Sequence, residues 1–117
     1  MTTQAIYTDQ HLAVDFAKGA AWLDSRSMVL TRKEYDLLAM LVDNAAEIVP
    51  RDVLLQRIWG YSREIRTRTL DVHIRRLRKK LGAFGDSYIE TIFGVGYRFQ
   101  PYREARNGIR YPLAASA

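Results

Sequence analysis

Residues 65–81, IRTRTLDVHIRRLRKKL, set seven Arg or Lys side chains against one Asp, a formal charge of +6 where the whole chain carries +5. The cationic excess of the protein is thus concentrated in one segment. Leu70, Ile74, Leu77 and Leu81 recur at steps of four, three and four, which at about 100° per residue gathers them into one narrow apolar stripe of a helix. Arg68, Val72, Arg75, Arg76 and Lys79 face the other way. A helix divided like this buries one edge and offers a row of guanidinium forks on the other. In the major groove of a DNA duplex such forks pair with guanine edges and grip phosphates. A solvated basic helix without a ligand has the same charge pattern, so the segment alone leaves both readings open.

Other chemistry finds no support. The chain has no Cys, which removes disulfides, thiolate metal ligands and thiol nucleophiles. Its two histidines, His11 and His73, lie far apart and outside any HExxH-like spacing, so no metal site is expected. The segment GVGYRF has Phe99 where a dinucleotide-binding loop needs its third glycine, and it follows no strand that leads into a helix. Carboxylates are scattered, and no nucleophile has a base in a recognisable arrangement beside it. No catalytic residue, metal or cofactor is expected, and the chain does not read as an enzyme.

The elements that must position the basic helix are legible from punctuation and period. With 117 residues and an apolar fraction of 48%, the chain fits one compact domain. Apolar runs at 5–7, 12–16, 20–23 and 28–30, broken at Asp9, Gly19 and Asp24, predict a four-stranded antiparallel meander. Thr31 and Glu34 form a capping box that starts a helix over 32–44, whose Tyr35, Leu37, Leu38, Leu41 and Val42 cover more than one stripe. Pro50 and Asp52 suit the opening of a second helix, which runs through Val53, Leu54, Ile58 and Trp59 to Gly60. A short exposed loop, 61–64, separates it from the basic helix, so the pair reads as helix, turn and helix. GAFGDS reads as a loop, and 88–99 as two strands around Gly94 and Gly96, a wing-like hairpin. The N-terminus lacks a basic start and an apolar run, and no stretch is long enough to cross a bilayer, so a cytoplasmic protein is expected.

The segments LTRKEYDLLAMLV, VPRDVLLQRIWG, RTRTLDVHIRRLRKKLG and IETIFGVGYRF, in that order and spacing, resemble the winged-helix effector domain of OmpR/PhoB-type response regulators over roughly residues 12–99. The resemblance implies an α+β winged helix-turn-helix with a four-stranded N-terminal antiparallel sheet, three helices and a C-terminal β-hairpin wing. It implies sequence-specific binding to double-stranded promoter DNA, two copies lying head to tail on tandem half-sites. The recognition helix, 65–82, would lie in the major groove and the wing, 88–99, near the minor groove. Asp71, Val72, Arg75 and Arg76 match positions that face bases or nearby phosphates. Trp59, Arg68, Thr69, His73 and Arg78 match positions that touch the DNA backbone, and Lys79 adds a cation beside them. Chemistry adds Thr91, Gly94 and Tyr97 as phosphate neighbours, since a hydroxyl, an open N–H and a phenol can all donate to phosphate oxygens.

Each of these residues has a competing role. Asp71 can instead hold an Arg in place, His73 can be a plain exposed flank, and Trp59 can belong to the core. The glycines of the wing are needed by a tight turn in any case. Many family members carry an Arg just before the GxGYRF turn, where this chain has Phe93, so minor-groove entry by a cation is in doubt. Inward packing or backbone proximity of Phe93 is favoured over an apolar wedge.

Family members carry an N-terminal receiver domain that this chain lacks, so it reads as a fragment or an orphan effector. Alone it is expected to be monomeric and weakly binding. The resemblance also suggests contact of loop 61–64 with RNA polymerase. The domain is expected to span 1–100, with a partly disordered tail over 101–117. Two alternatives stay open: a winged-helix protein-interaction module, and an orphan regulator with only nonspecific DNA affinity. RNA binding would call for exposed aromatics on the basic face, which it does not carry.

Overall fold

Four short strands open the chain in the computed structural model, which describes residues 5–62, 66–104 and 110–112. They are β1 (Ile6–Thr8), β2 (Leu12–Asp15), β3 (Ala20–Leu23) and β4 (Arg26–Ser27), paired antiparallel in that order. The registers Tyr7↔Val14 and Val14↔Ala21 put three buried side chains on one face of the sheet. The fourth strand lies earlier than the apolar run at 28–30 predicts. Asp24 and Ser25 both take positive φ, 49° and 66°, and close a two-residue hairpin that pairs Leu23 with Arg26. The turn fixes the register, and Val29 is left exposed in the connection to the first helix.

That helix, α1 (Arg32–Asp43), is capped as expected. Glu34 N–H donates to Thr31 Oγ1 at 3.2 Å, and Thr31 N–H donates to Glu34 Oε1 at 2.9 Å. Leu37, Leu38, Leu41 and Val42 are fully buried, and Tyr35 sits at the edge of the core. α1 packs against α3 and β7, while the Tyr35 phenol reaches the N-terminal sheet and donates to the Asp15 carbonyl at 3.3 Å.

Pro50 does not open the second helix from within. It ends a strand, β5 (Ile48–Pro50), which the sequence reading missed and which pairs with the wing. A proline can occupy such an edge strand because no ladder donor is asked of it. The helix follows as α2 (Arg51–Leu54), widens into a π turn over Leu55–Trp59, and stops at Gly60 with φ 75°.

The basic helix, α3 (Thr69–Lys80), is shorter than the expected 65–82. Thr67 Oγ1 accepts from Thr69 N–H at 3.1 Å, a local bond that competes with a further helical turn and leaves Arg66 and Thr67 outside the helix. Its stripe of Leu70, Ile74 and Leu77, continued by Leu81, is buried against α1.

The GAFGDS stretch is not a loop. A 3-10 turn (Gly82–Phe84) leads into a single-turn helix, α4 (Gly85–Tyr88). Gly85 is required by close packing: a Cβ there would lie 2.3 Å from the Arg78 carbonyl oxygen. Tyr88, expected to begin a strand, ends this helix fully buried and stacks on Phe99 at 5.4 Å. The wing strands are β6 (Ile89–Ile92) and β7 (Gly96–Phe99), with β7 central in the order β5-β7-β6. Gly96 permits that third strand, since a Cβ there would meet the Val49 carbonyl oxygen at 2.0 Å. After the wing, β8 (Tyr102–Glu104) pairs antiparallel with β9 (Arg110–Pro112), and Tyr102 packs against the core. The expectation of partial disorder in the tail falls mostly on residues outside the described ones.

One carboxylate ties the two ends of this fold together. Asp9 accepts from the phenols of Tyr7 (2.5 Å) and Tyr88 (2.7 Å) and from the backbone N–H groups of His11, Leu12 and Tyr102. Burial alone would raise its pKa, but these bonds together hold the carboxyl below the usual range. In the sequence, Asp9 marks only a break between strands.

Candidate nucleic-acid interface

On α3, burial of the Leu70, Ile74 and Leu77 stripe turns Val72, Arg75, Arg76 and Lys79 outward, all exposed. Arg68 is exposed just ahead of the first turn. None of these four cations makes an ion pair with another described residue. Their charge is therefore directed to whatever approaches the helix, and Val72, 41% exposed, offers a small apolar contact between them.

Asp71 stands apart from its neighbours. Arg51, the first residue of α2, reaches it with both guanidinium ends, Nη1 to Oδ1 and Nη2 to Oδ2 at 3.3 Å. The Tyr97 phenol on β7 donates to the same Oδ1 at 2.7 Å. Burial works against the charge of Asp71, but the bonds from Arg51 and Tyr97 outweigh it and keep the carboxyl below its ordinary pKa. Tyr97 responds in the opposite sense, pushed up to about 12 by burial and by the adjacent carboxylate. The competing role foreseen for Asp71, holding an Arg, is present; the Arg it holds comes from a different helix.

The residues matched to the DNA backbone divide into outward and inward groups. Thr69 shares a 2.8 Å hydroxyl contact with Thr67 at the helix start. His73 Nδ1 lies 2.8 Å from the Thr69 carbonyl oxygen, which can only accept, so Nδ1 is the donor of that bond. Its ring meets Trp59 edge-on at 4.9 Å, and Trp59 itself is half-buried against the core. Arg78 turns inward: Nε and Nη2 donate to the Ile89 carbonyl, Nη2 also donates to Thr91 Oγ1 at 2.7 Å, and the guanidinium lies 5.9 Å from the Tyr97 ring. Tyr97 is 6% exposed and its proton is directed to Asp71, so it is not a free phosphate donor. Arg78, Thr91 and Tyr97 thus fasten the wing to α3 instead of facing outward.

At the tip of the wing, Val95 N–H donates to the Ile92 carbonyl at 3.0 Å, and Gly94 takes φ 74°, the conformation that a type II turn asks of its third residue. Phe93 is 92% exposed, which overturns the inward-packing half of the expectation and leaves backbone proximity and the apolar wedge open. The three-residue turn Phe93–Val95 beyond the Ile92↔Gly96 pair has no core to reach. In the loop 61–64, Tyr61 rests against the core and Ser62 is exposed, while Arg63 and Glu64 lie outside the described residues. Sequence reasoning missed Arg51, whose only signal was its place beside Pro50 at a helix start. Among the described residues no cluster of three His, Cys, Asp or Glu side chains could hold a metal ion, and no helix is long and apolar enough to cross a membrane.

Residues 25–99 match the family described as transcriptional regulatory protein, C terminal. The chain is 46% identical over 76 residues to the response regulator ArlR of Staphylococcus saprophyticus, covering 64% of this chain and 34% of that protein. It is 40% identical over 90 residues to the transcriptional regulatory protein VxrB of Vibrio cholerae, covering 77% of this chain and 36% of that one. The chain therefore spans about a third of the length of these curated relatives. Among solved structures, it is similar to the Klebsiella pneumoniae RstA DNA-binding domain in complex with the RstA box, with a TM-score of 0.74 and 31% identity over 82% of this chain and 97% of that one. The family match runs from β4 through the wing, and the family is one of transcriptional regulators, not of enzymes. By sequence and by fold, the chain belongs to the C-terminal effector domains of OmpR/PhoB-type response regulators.

Proposed function

We propose that this chain binds double-stranded promoter DNA sequence-specifically, as the effector domain of a two-component-type transcriptional regulator. The observation that carries the reading is the row of exposed cations along α3 and just ahead of it, Arg68, Arg75, Arg76 and Lys79, which form no ion pair among the described residues and stand opposite a fully buried stripe. Only a polyanion uses such a row fully, and a helix of this width enters the major groove. Arg75 and Arg76 are the readers, with Val72 beside them for a thymine methyl and Asp71 at the first turn. Arg68 and Lys79 grip phosphates, with Thr69, His73 and Trp59 at the flank and the Gly94 turn near the minor groove. The related RstA DNA-binding domain, solved in complex with the RstA box, supports the DNA-binding reading.

Two copies head to tail on tandem half-sites, contact of loop 61–64 with RNA polymerase, a functional unit over 1–100 and a cytoplasmic location complete the proposal, on the strength of the family resemblance. The test is selection of preferred sites from a random duplex pool at near-physiological salt. Enrichment of a short tandem motif is expected, and Arg76→Ala should cost about 1–3 kcal/mol on that motif while leaving random duplexes nearly untouched. Salt-sensitive binding without any enriched motif would reduce α3 to an electrostatic surface.

A further inference from the structure

We propose that Arg51 is a positioning residue for sequence recognition, holding the Asp71 carboxylate as a reader of a base that presents an amino group, cytosine before adenine. The inference rests on the DNA-binding reading above and deepens it.

Three elements converge on Asp71. Arg51 comes from the start of α2 and Tyr97 from the central strand of the wing sheet, 20 and 26 residues away in sequence. The fork of Arg51 spans both carboxylate oxygens, which fixes the plane of the carboxylate as well as its place. Oδ1 has two donors, whereas Oδ2 has one, at 3.3 Å, so Oδ2 keeps lone-pair capacity for a further donor. The Asp71 side chain is 46% exposed, and Val72 and Arg75 stand next to it on the outward face. A group that only accepts finds its match in the major groove in the N4 amino group of cytosine. Adenine offers N6 beside the N7 acceptor, which a carboxylate oxygen does not complement.

The pairing also answers an electrostatic difficulty. A lone carboxylate at the first turn of a recognition helix meets repulsion from the phosphates, whereas one already neutralised by a guanidinium does not. Lys cannot replace Arg51 in this role, because a point charge lacks the fork that sets the plane.

The test uses the full chain with Arg51→Met, Arg51→Lys, Asp71→Ala and Tyr97→Phe variants, each taken through site selection and then titrated on two duplexes. One duplex carries the selected cytosine and the other carries thymine at that position. Arg51→Met and Asp71→Ala are expected to flatten the preference at the same base pair, narrowing the cytosine-over-thymine ratio by about tenfold, with positions elsewhere in the motif unchanged. Arg51→Lys should narrow it nearly as far, and the Arg51→Met, Asp71→Ala double variant no further than either single one. Tyr97→Phe removes one oxygen and should give a smaller change at the same base pair, which keeps the test valid if Arg51→Met fails to fold. Equal weakening on both duplexes with a shallower salt slope would make Arg51 a phosphate contact and overturn the proposal. An unchanged preference in all four variants would make the pair purely structural. If the wild-type chain itself enriches no motif, the DNA-reading function fails first, a result separable from either of these.

Discussion

Arg78 Nη2 and Thr91 Oγ1, 13 residues apart in sequence, meet at 2.7 Å and join the recognition helix to the wing. With Nε and Nη2 also on the Ile89 carbonyl, the side chain acts as a bracket between α3 and β6. Bonds from a charged group to neutral acceptors contribute more than neutral ones, so Arg78→Ala should lower stability by about 1–3 kcal/mol in urea titration. The salt dependence of DNA binding should keep its slope. A slope reduced by about one unit would show that Arg78 also neutralises a phosphate.

Acid should loosen the junction at Asp9. Its folded-state pKa lies below the ordinary carboxylate value, so its contribution to stability is complete above the unfolded value of about 4 and disappears as pH falls through the folded one. Glu34 and Asp71 are shifted in the same direction and add to the same window. The urea midpoint is expected to hold from pH 7 to about 5 and then to fall. Asp9→Asn should be less stable at neutral pH and show a shallower fall in acid. Parallel acid profiles for the two proteins would exclude Asp9 from the acid response.

Lys80 and Glu34 form a second long-range tie, 2.6 Å apart across 46 residues of sequence. Glu34 is 2% exposed and already serves the α1 cap, whereas Lys80 is 36% exposed, so water can replace part of what the ammonium supplies. Lys80→Met is expected to cost about 1–2 kcal/mol, less than breaking a fully buried pair. It should also make the fall of stability in acid shallower, because without the ammonium the folded-state pKa of Glu34 returns toward its unfolded value and less stability is left to lose. A thermal melt series between pH 4 and 7 checks both; an acid slope parallel to that of the unaltered protein would mean that Lys80 does not hold the carboxylate.

Phe93 projects from the wing tip without a packing partner in the core. Phe93→Arg should therefore change stability by no more than about 0.5 kcal/mol. If the wing lies against the DNA backbone, the new cation should tighten binding to every duplex and steepen the salt slope by about one unit. An unaltered slope would place the tip away from the phosphates.

What could be read from the chain alone was whatever depends on near neighbours. The capping box of Thr31 and Glu34 spans three residues, the stripe from Leu70 to Leu81 repeats every three or four, and both stand as expected. The outward cations of α3 follow from the same period. Elements too short to carry a period were misread: β5 has three residues, α4 has four, and the true fourth strand has two. Their places are set by a turn at Asp24 and Ser25 and by close approaches at Gly85 and Gly96.

Charge pairing was settled by the tertiary structure. Composition counts Arg51, Arg78 and Lys80 as free cations, whereas the fold commits them to Asp71, to the wing and to Glu34. It leaves Arg68, Arg75, Arg76 and Lys79 to the outside. By itself the sequence determined which helix is cationic and which edge of it is buried, because helical period is local. Only the tertiary structure decided which of those charges remain available, because a salt bridge depends on where chain segments 20 to 46 residues apart come together.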